Sequence, residues 1–540
     1  MEMTGGEALA RQLVNEGVTR LFGVPGVQLD FAVDGLAKVA DQLTFHNTRH
    51  EQAASYMADG YARTTGDAGV CMVVPGPGLL NAMAGLSTAY ACSSPVLCIA
   101  GQIPSSMIGR GLGMLHEVRD QTTTFGTVTK WTGSAMRAED VPRLVHEAFQ
   151  VLRSGRPQPV GIEIPPDVLS AVADVDLIGT SAVGTPAVPD PALIAKAGAL
   201  LRGAARPVLY AGGGVLAGGA WAELAELAEA LGAPVVMSQN GRGAVDERHP
   251  LALTSLGGRE VLPEADVVLA VGTRFLMTIG RPVGTSGKLI MLNADAGDLG
   301  APRVAELDIL GDARLGLAAL RAELPEATRE PWARLDGIRD DCRKQIAEIE
   351  PQASYVRALR AALPEDGILV NELTQVGYLS QIAFPVYGPR TYVWPGYQGT
   401  LGYGFATALG AKAASPDRPV LCVTGDGGFG WNMQELATAR KYGIGLVTVV
   451  FDDGAFGNVK RTQKQRFEGR VHGTELSNPD FVKLAEAFGV TGVRAETPQA
   501  LEGVVRESLA AGEPALVHAP VGEMDGAWHL IHDFLAGPRR

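Results

Sequence analysis

"VTGDGGFGWNMQEL", residues 423–436, sets an aspartate among glycines where an apolar run has just ended. "VVFDDGAFG", residues 449–457, repeats the pattern after one more helical stretch. "RPVLCVT" and "GLVTVVF" read as short buried strands, and "WNMQELATARKYG" between them reads as the helix of a right-handed crossover. In an open parallel sheet, ligands lie beyond the carboxyl ends of the strands. Asp426 and Asp453 should therefore emerge side by side from one sheet edge. Gly425, Gly427 and Gly428 let the backbone run close to a ligand, and the next helix would aim its N-terminal amides at the same place. Such a place suits phosphate, yet phosphate beside two carboxylates would be repelled. A shared Mg²⁺ removes the conflict, because it takes hard oxygen ligands from protein and phosphate together. The spacing alone also allows a solvated turn whose acids cap helices.

The alternation of apolar runs and helical patterns extends outward over the whole chain. "GVCMVVPGPG" and "PVLCIAGQ" read as strands, with "LLNAMAGLSTAYACS" as the helix between them. Pro165 and Pro166 stop this block, and "GTSAVGTPAVPDP" reads as a linker. A second block spans "PVLYAGGGV", "APVVMSQNG", "ADVVLAVGTRF" and "KLIMLNAD"; a third holds "DGILVNELTQ" and both acidic strand ends. The expected fold class is α/β, three doubly wound parallel-sheet domains at 1–172, 188–325 and 350–530. Gly212, Gly214 and Ala217 have dinucleotide-like spacing. The following strand, however, ends in Ser238 and Asn240 rather than in an acid for a ribose hydroxyl, which favours a tight turn serving packing.

A chain of 540 residues, 46% hydrophobic, is long for one core and fits several domains. A net charge of −13 with no basic run argues against nucleic acid or an anionic membrane surface as partner. The five cysteines stand in no metal-ligand spacing and read as reduced core residues. "MEMTGGEALARQLVNEGV" lacks a signal peptide's apolar stretch, and no apolar span is long enough for a bilayer, so a cytoplasmic location is expected.

Taken together, "RHEQAASYMADGYAR", "GPGLLNAMAGLSTAY", "NELTQ", "GYQGTLGYGFATALGAK" and GDG followed by Asp453, 27 residues beyond Asp426, resemble the thiamine-diphosphate enzymes of the acetolactate synthase and benzoylformate decarboxylase superfamily. The resemblance covers nearly the whole chain. It implies pyrimidine-binding, central and diphosphate-binding domains, and active sites shared between subunits of a homodimer or homotetramer. Carried over by position, Asp426, Asp453 and the Ala455 carbonyl would hold Mg²⁺. Thr374 and Gln375 would meet the diphosphate from the opposite side, and Gly427, Gly428, Phe456 and Gly457 would complete the cradle. The family usually has asparagine where this chain has Asp453, so cofactor binding should depend more strongly on Mg²⁺. Glu51 would hydrogen-bond the pyrimidine of a cofactor held by the neighbouring subunit and move its proton. Asn81 would lie near the same ring. Leu401 would hold the cofactor bent, with the Gly399 carbonyl accepting from its amino group.

The resemblance implies a 2-oxo acid substrate that loses CO₂, the remaining fragment ending as an aldehyde or joined to a second carbonyl. His116 falls where decarboxylases have histidine and synthases glutamine, and can shuttle protons near pH 7; a surface-loop role competes. Gln121 is a second candidate for the same pocket. Val27 replaces the serine of benzoylformate decarboxylase, and Thr462 stands where synthases carry tryptophan. The Gly-Met-His-Gly loop by which synthases hold FAD is missing, so FAD is not expected. Lys460, Arg461 and Lys464 read equally as carboxylate binders or solvated charges. Acetolactate-synthase-like carboligation leads. Simple 2-oxo acid decarboxylation comes next, and a catalytically silent homologue third.

Overall fold

The computed structural model describes residues 1–277, 281–524 and 526–531. Three six-stranded sheets, all parallel in their pairings, follow one another along the chain. From edge to edge the first runs Thr44–Asn47, Arg20–Gly23, Gly69–Val73, Val96–Gly101, Val160–Ile164, Trp131–Ser134. The third runs Tyr392–Val393, Ile368–Asn371, Val420–Gly425, Val447–Asp452, Ala515–Pro520, Thr491–Arg494. Within each block these are the same spatial order, 2-1-3-4-6-5. The two flanking blocks thus share a topology. The central sheet, Ala252–Leu253, Val235–Met237, Pro207–Ala211, Val267–Val271, Lys288–Asn293, Leu307–Leu310, has the order 3-2-1-4-5-6. Strands such as Val420–Gly425 read as continuous apolar runs because helices cover both faces.

The first and third blocks pack directly against each other. Helix Glu51–Thr65 begins with His50, whose side chain accepts from the Gln52 amide, and ends at Gly66, φ +88°. It crosses helix Tyr403–Ala414 at small residues. A Cβ on Gly60 would run into the Thr407 carbonyl, and one on Gly410 into that of Met57. Glycine is required there because the two backbones touch. The apolar core is correspondingly shared, with Ala54, Met57 and Ala58 packed among Phe405, Ala408 and Leu409.

The glycines of "AGGGVLAGG" do serve packing: a Cβ on Gly214 would lie 2.6 Å from the Gly272 Cα, and one on Gly212 would meet the Gly272 carbonyl. All five cysteines are free. Among the described residues no helix is long and apolar enough to cross a membrane. One element differs from expectation. The single helix read over "WNMQELATARKYG" instead begins as a 3₁₀ turn, Met433–Glu435, before Leu436–Tyr442, and a separate helical turn, Asp426–Phe429, precedes it. The Asn432 side chain donates to the Gly402 carbonyl at 2.6 Å, which holds the chain inward between the two pieces.

Candidate active site

In the third sheet the chain runs outward in opposite directions from Ile368–Asn371 and Val420–Gly425, so the crevice at their carboxyl ends is a topological switch point. Gly425 pairs in register with Phe451. Asp426 follows the first of these residues directly, and Asp452 and Asp453 follow the second, which brings three carboxylates to one edge. Asp426 is 4% exposed. Asn478 ties the two strand ends together, donating to Asp426 Oδ2 at 2.6 Å and to Asp452 Oδ1 at 2.8 Å. His518 Nε2 lies 3.0 Å from Asp452 Oδ2, and this contact holds Asp452 below the usual carboxylate range. Burial, with neighbouring negative charge added, pushes Asp426 and Asp453 up to about 6. Asp452 is therefore the carboxylate that the fold holds ionised, whereas burial outweighs the Asn478 hydrogen bond at Asp426 and the charge of Lys460 at Asp453.

The opposite wall comes from the end of Ile368–Asn371. A Cβ on Gly457 would lie 2.9 Å from Gln375 Nε2 and would clash with Asp453 Oδ2, so Gln375, Asp453 and Gly457 converge on one point. A Cβ on Gly425 would lie 3.4 Å from Thr374 Cβ, and one on Gly427 would lie 2.8 Å from the Phe456 ring. Ala455 is braced from behind, with Phe456 N donating to Thr474 O and Leu476 N to Gly454 O, both at 2.8 Å. These close approaches leave an open backbone cradle next to two carboxylates, and that fits a diphosphate carried on Mg²⁺. No group of three or more His, Cys, Asp or Glu side chains forms a complete cage among the described residues. Asp426, Asp453 and the Ala455 carbonyl are the oxygen donors at this edge that could hold Mg²⁺, which favours hard oxygen ligands.

Glu372 lies beneath the cradle. Sequence reasoning quoted it within "NELTQ" but gave it no role. It is 1% exposed and accepts from Gly402 N, Gly404 N and Thr424 Oγ1 at 3.0, 3.1 and 2.5 Å. Burial pushes it up to about 7. Its carboxylate fixes the turn that follows Gly399, φ +56°, and carries half-buried Leu401. Asn478 and His518 were also missed. Both lie in stretches with no motif, 26 and 66 residues beyond Asp452.

The first block gathers its own candidates round the turn 74–78. Glu51 opens helix Glu51–Thr65, and its Oε2 accepts from Asn81 Nδ2 at 3.0 Å. A Cβ on Gly78 would lie 3.5 Å from Glu51 Oε1. Gly76, φ +57°, passes so close that a Cβ there would strike the His116 carbonyl. His116 itself has φ +67°, and its Nδ1 lies 3.2 Å from Gln28 Oε1. Gln121 is 3% exposed and its amide is fully engaged. It accepts from Gly76 N at 2.7 Å and donates to Gly101 O and Glu163 Oε1, both at 2.9 Å. That geometry makes Gln121 a brace for the turn.

A crevice of about 1110 Å³ lies between the three blocks, with Arg156, Gly213, Gly214, Arg274 and Asn293 in its wall. Arg156 is engaged by Asp298 at 2.8 Å and Asp295 at 3.5 Å. A smaller cavity of about 370 Å³ opens beside Asp453, and residues of the third block alone line it.

Family comparisons agree with this arrangement. Profiles described as thiamine pyrophosphate enzyme N-terminal TPP binding domain, central domain and C-terminal TPP binding domain match residues 3–124, 194–320 and 374–519. A "Probable acetolactate synthase large subunit" of Methanocaldococcus jannaschii is 36% identical, covering 95% of this chain and 91% of the relative. A "Probable 2-ketoarginine decarboxylase AruI" of Pseudomonas aeruginosa is 37% identical over 94% and 92%. Acetolactate synthase isozyme 3 large subunit of Escherichia coli K12 is 33% identical over 94% and 93%. With three matching domains in this order and relatives aligned end to end, the chain belongs to the thiamine pyrophosphate enzyme family.

Proposed function

We propose that the chain decarboxylates a 2-oxo acid and joins the fragment to a second carbonyl, as an acetolactate-synthase-like enzyme dependent on thiamine diphosphate and Mg²⁺. The observation that carries the cofactor reading is the convergence of Asp426, Asp453, Gln375 and Gly457 on one glycine-walled crevice. Asp426, Asp453 and the Ala455 carbonyl would hold the metal. Thr374, Gln375, Gly425, Gly427, Gly428, Phe456 and Gly457 would surround the diphosphate. When bound, thiamine diphosphate supplies a carbon nucleophile and a sink for the electron pair released with CO₂. Leu401 and Gly399, fixed through Glu372, would hold the reactive end in place.

Glu51 would hold and move the proton at the pyrimidine. It hydrogen-bonds within the first block, whereas the cavity beside Asp453 is lined by the third block alone. That separation supports a site completed by a second copy of the chain, hence a homodimer or homotetramer. His116 would move protons at the mouth of the pocket from its position against Gly76, and Gln121 would keep that turn in register. Arg156 has its charge taken up by two aspartates, and Gly212 and Gly214 serve packing. These features support an enzyme without FAD.

Product analysis with pyruvate, thiamine diphosphate and Mg²⁺ tests the reading. Acetolactate or another acyloin is the expected product, formed without any flavin absorption band in the purified protein. Free aldehyde alone would favour the second reading, simple decarboxylation, to which the printed name of the Pseudomonas relative lends weight.

A further inference from the structure

Helices Glu51–Thr65 and Tyr403–Ala414 run in opposite directions, since Gly60 lies against Thr407 and Gly410 against Met57. One more turn along that register brings Arg63 to Tyr403, at the entrance of the second helix. Arg63 is largely buried. Its countercharge is Asp59, one turn back on the same helix, fully buried and 3.9 Å away. At that distance Asp59 balances the charge without accepting a hydrogen bond. The N–H groups go instead to neutral oxygens of the other two blocks. Nη1 donates to the Trp394 carbonyl at 2.5 Å and to the Tyr403 hydroxyl at 2.9 Å, and Nη2 donates to Asn240 Oδ1 at 3.1 Å.

Trp394 and Tyr403 are the two ends of the turn that carries Gly399 and Leu401, so one guanidinium nitrogen spans the base of that turn. Within it Gly396, Gly399 and Gly402 have φ of +65°, +56° and +79°. Glycine is equally at ease in other conformations, and such a path has to be held from outside. The third block holds one side, through Glu372 on Gly402 N and Gly404 N and through Asn432 on the Gly402 carbonyl. The first block holds the other. Beside Arg63, the Thr88 hydroxyl of helix Pro77–Cys92 gives its one proton to the Ala84 carbonyl at 3.1 Å. At 3.0 Å it therefore accepts from the hydroxyl of Thr400, the residue between Gly399 and Leu401. Buried Arg242 differs, since it is saturated by Glu247 and by carbonyls of Ser380, Gln381 and Phe384, away from the turn.

We propose that Arg63 and Thr88 are positioning residues, which from the first block set the path of the turn and so the places of the Gly399 carbonyl and the Leu401 side chain. The inference rests on the reading of that turn as the support of the cofactor's reactive end. Arginine suits the task because its planar fork serves both ends of the turn and Asn240 together, whereas a lysine is a single point of charge. Asn240 makes the central block a party to the arrangement. A displacement of about 1 Å at the turn is worth up to about 100-fold in rate. Asp426, Asp453 and Gln375 stand on other strand ends and should keep their places.

Wild type, Arg63→Met, Arg63→Lys and Thr88→Val are compared first without cofactor, by hydrogen exchange read by mass spectrometry, and then as holoenzyme on pyruvate. In Arg63→Met, exchange over residues 394–404 should quicken about 10-fold or more, the worth of the lost hydrogen bonds. Exchange over 447–457 should stay as in wild type. With thiamine diphosphate and Mg²⁺ saturating, kcat should fall about 10- to 100-fold, while the KM for pyruvate and the Kd of the cofactor stay close to wild type. Arg63→Lys, which keeps the charge beside Asp59, should recover part of both changes. Thr88→Val should move both in the same sense by less, and it decides the matter if Arg63→Met does not fold. A lowered Tm with kcat and the exchange over 394–404 unchanged would make Arg63 a plain stabiliser and overturns the proposal. Lost cofactor affinity with kcat intact at saturation overturns it too. If wild type does not turn over pyruvate, that counts against the proposed function, and the exchange over 394–404 still decides whether Arg63 and Thr88 hold the turn.

Discussion

Asp453 and Glu51 are the single side chains to which the proposed function gives the most specific work. Asp453 is half-buried beside Asp452 and Asp426, and an aspartate there would add a negative charge next to the proposed diphosphate that an asparagine would not. Asp453→Asn should keep cofactor binding and lower the Mg²⁺ concentration needed for half-maximal activity; an unchanged requirement would show that this charge is not what the metal offsets. Glu51 stands at the start of its helix, with Asn81 on one carboxyl oxygen. Its proposed work is proton transfer, which the isosteric amide cannot perform. Glu51→Gln should therefore lower kcat by about 10²- to 10⁴-fold, with cofactor affinity measured separately by a binding titration. Full turnover in that variant would remove Glu51 from the mechanism.

At the scale of elements, the strand leading into Asp426 and the strand ending in Asp452 are held in register by their ladder, and Asn478 ties their tips together from a loop with no regular structure. The adjoining segment 474–476 braces the loop that carries Ala455. Groups behind a metal ligand set its orientation, and losing one typically weakens metal binding by about 10- to 100-fold. Asn478→Ala should weaken Mg²⁺ binding by that order in a calorimetric titration, with the far-ultraviolet circular dichroism unchanged. The broken helix after Asp426 belongs to the same scale. Asn432, bound to Gly402, anchors the break and joins the acid edge to the turn bearing Leu401.

For the whole molecule, the consequence is a coupling between metal, pH and stability. Burial raises Asp426 and Asp453 to about 6 in the metal-free protein, against 3.8 for an ordinary aspartate. Between about pH 4 and 6 the folded chain thus binds protons that the unfolded chain has released, and the metal-free protein loses stability as pH rises through that window. In the proposed site Mg²⁺ would take the place of those protons and would need the carboxylates ionised. The rise in Tm on adding Mg²⁺ with thiamine diphosphate should be larger at pH 7.5 than at pH 5, and chelation should reverse it. An equal shift at both values would mean that other groups hold the metal. The first and third blocks, of matching topology and packed through Gly60 and Gly410, form one body that carries both the Glu51 turn and the acid edge.

What the sequence determined by itself was the class of fold and the location of the acid edge. Apolar runs of strand length ending in glycine and acid are local signals, and parallel-sheet topology turns them into a position at the carboxyl ends. The family blocks added Glu51, Asn81, Thr374, Gln375 and Leu401 in their places along the chain. Tertiary structure alone decided which groups the fold already holds. Glu372 sits under the cradle, Asn478 and His518 occupy Asp452, and Gln121 has no free amide. It also parted Lys460 and Arg461, which line the cavity beside Asp453, from Lys464, which Glu523 binds. None of this is legible along the chain, because a carboxylate or a guanidinium is satisfied by partners distant in sequence, and only packing brings those partners within hydrogen-bonding reach.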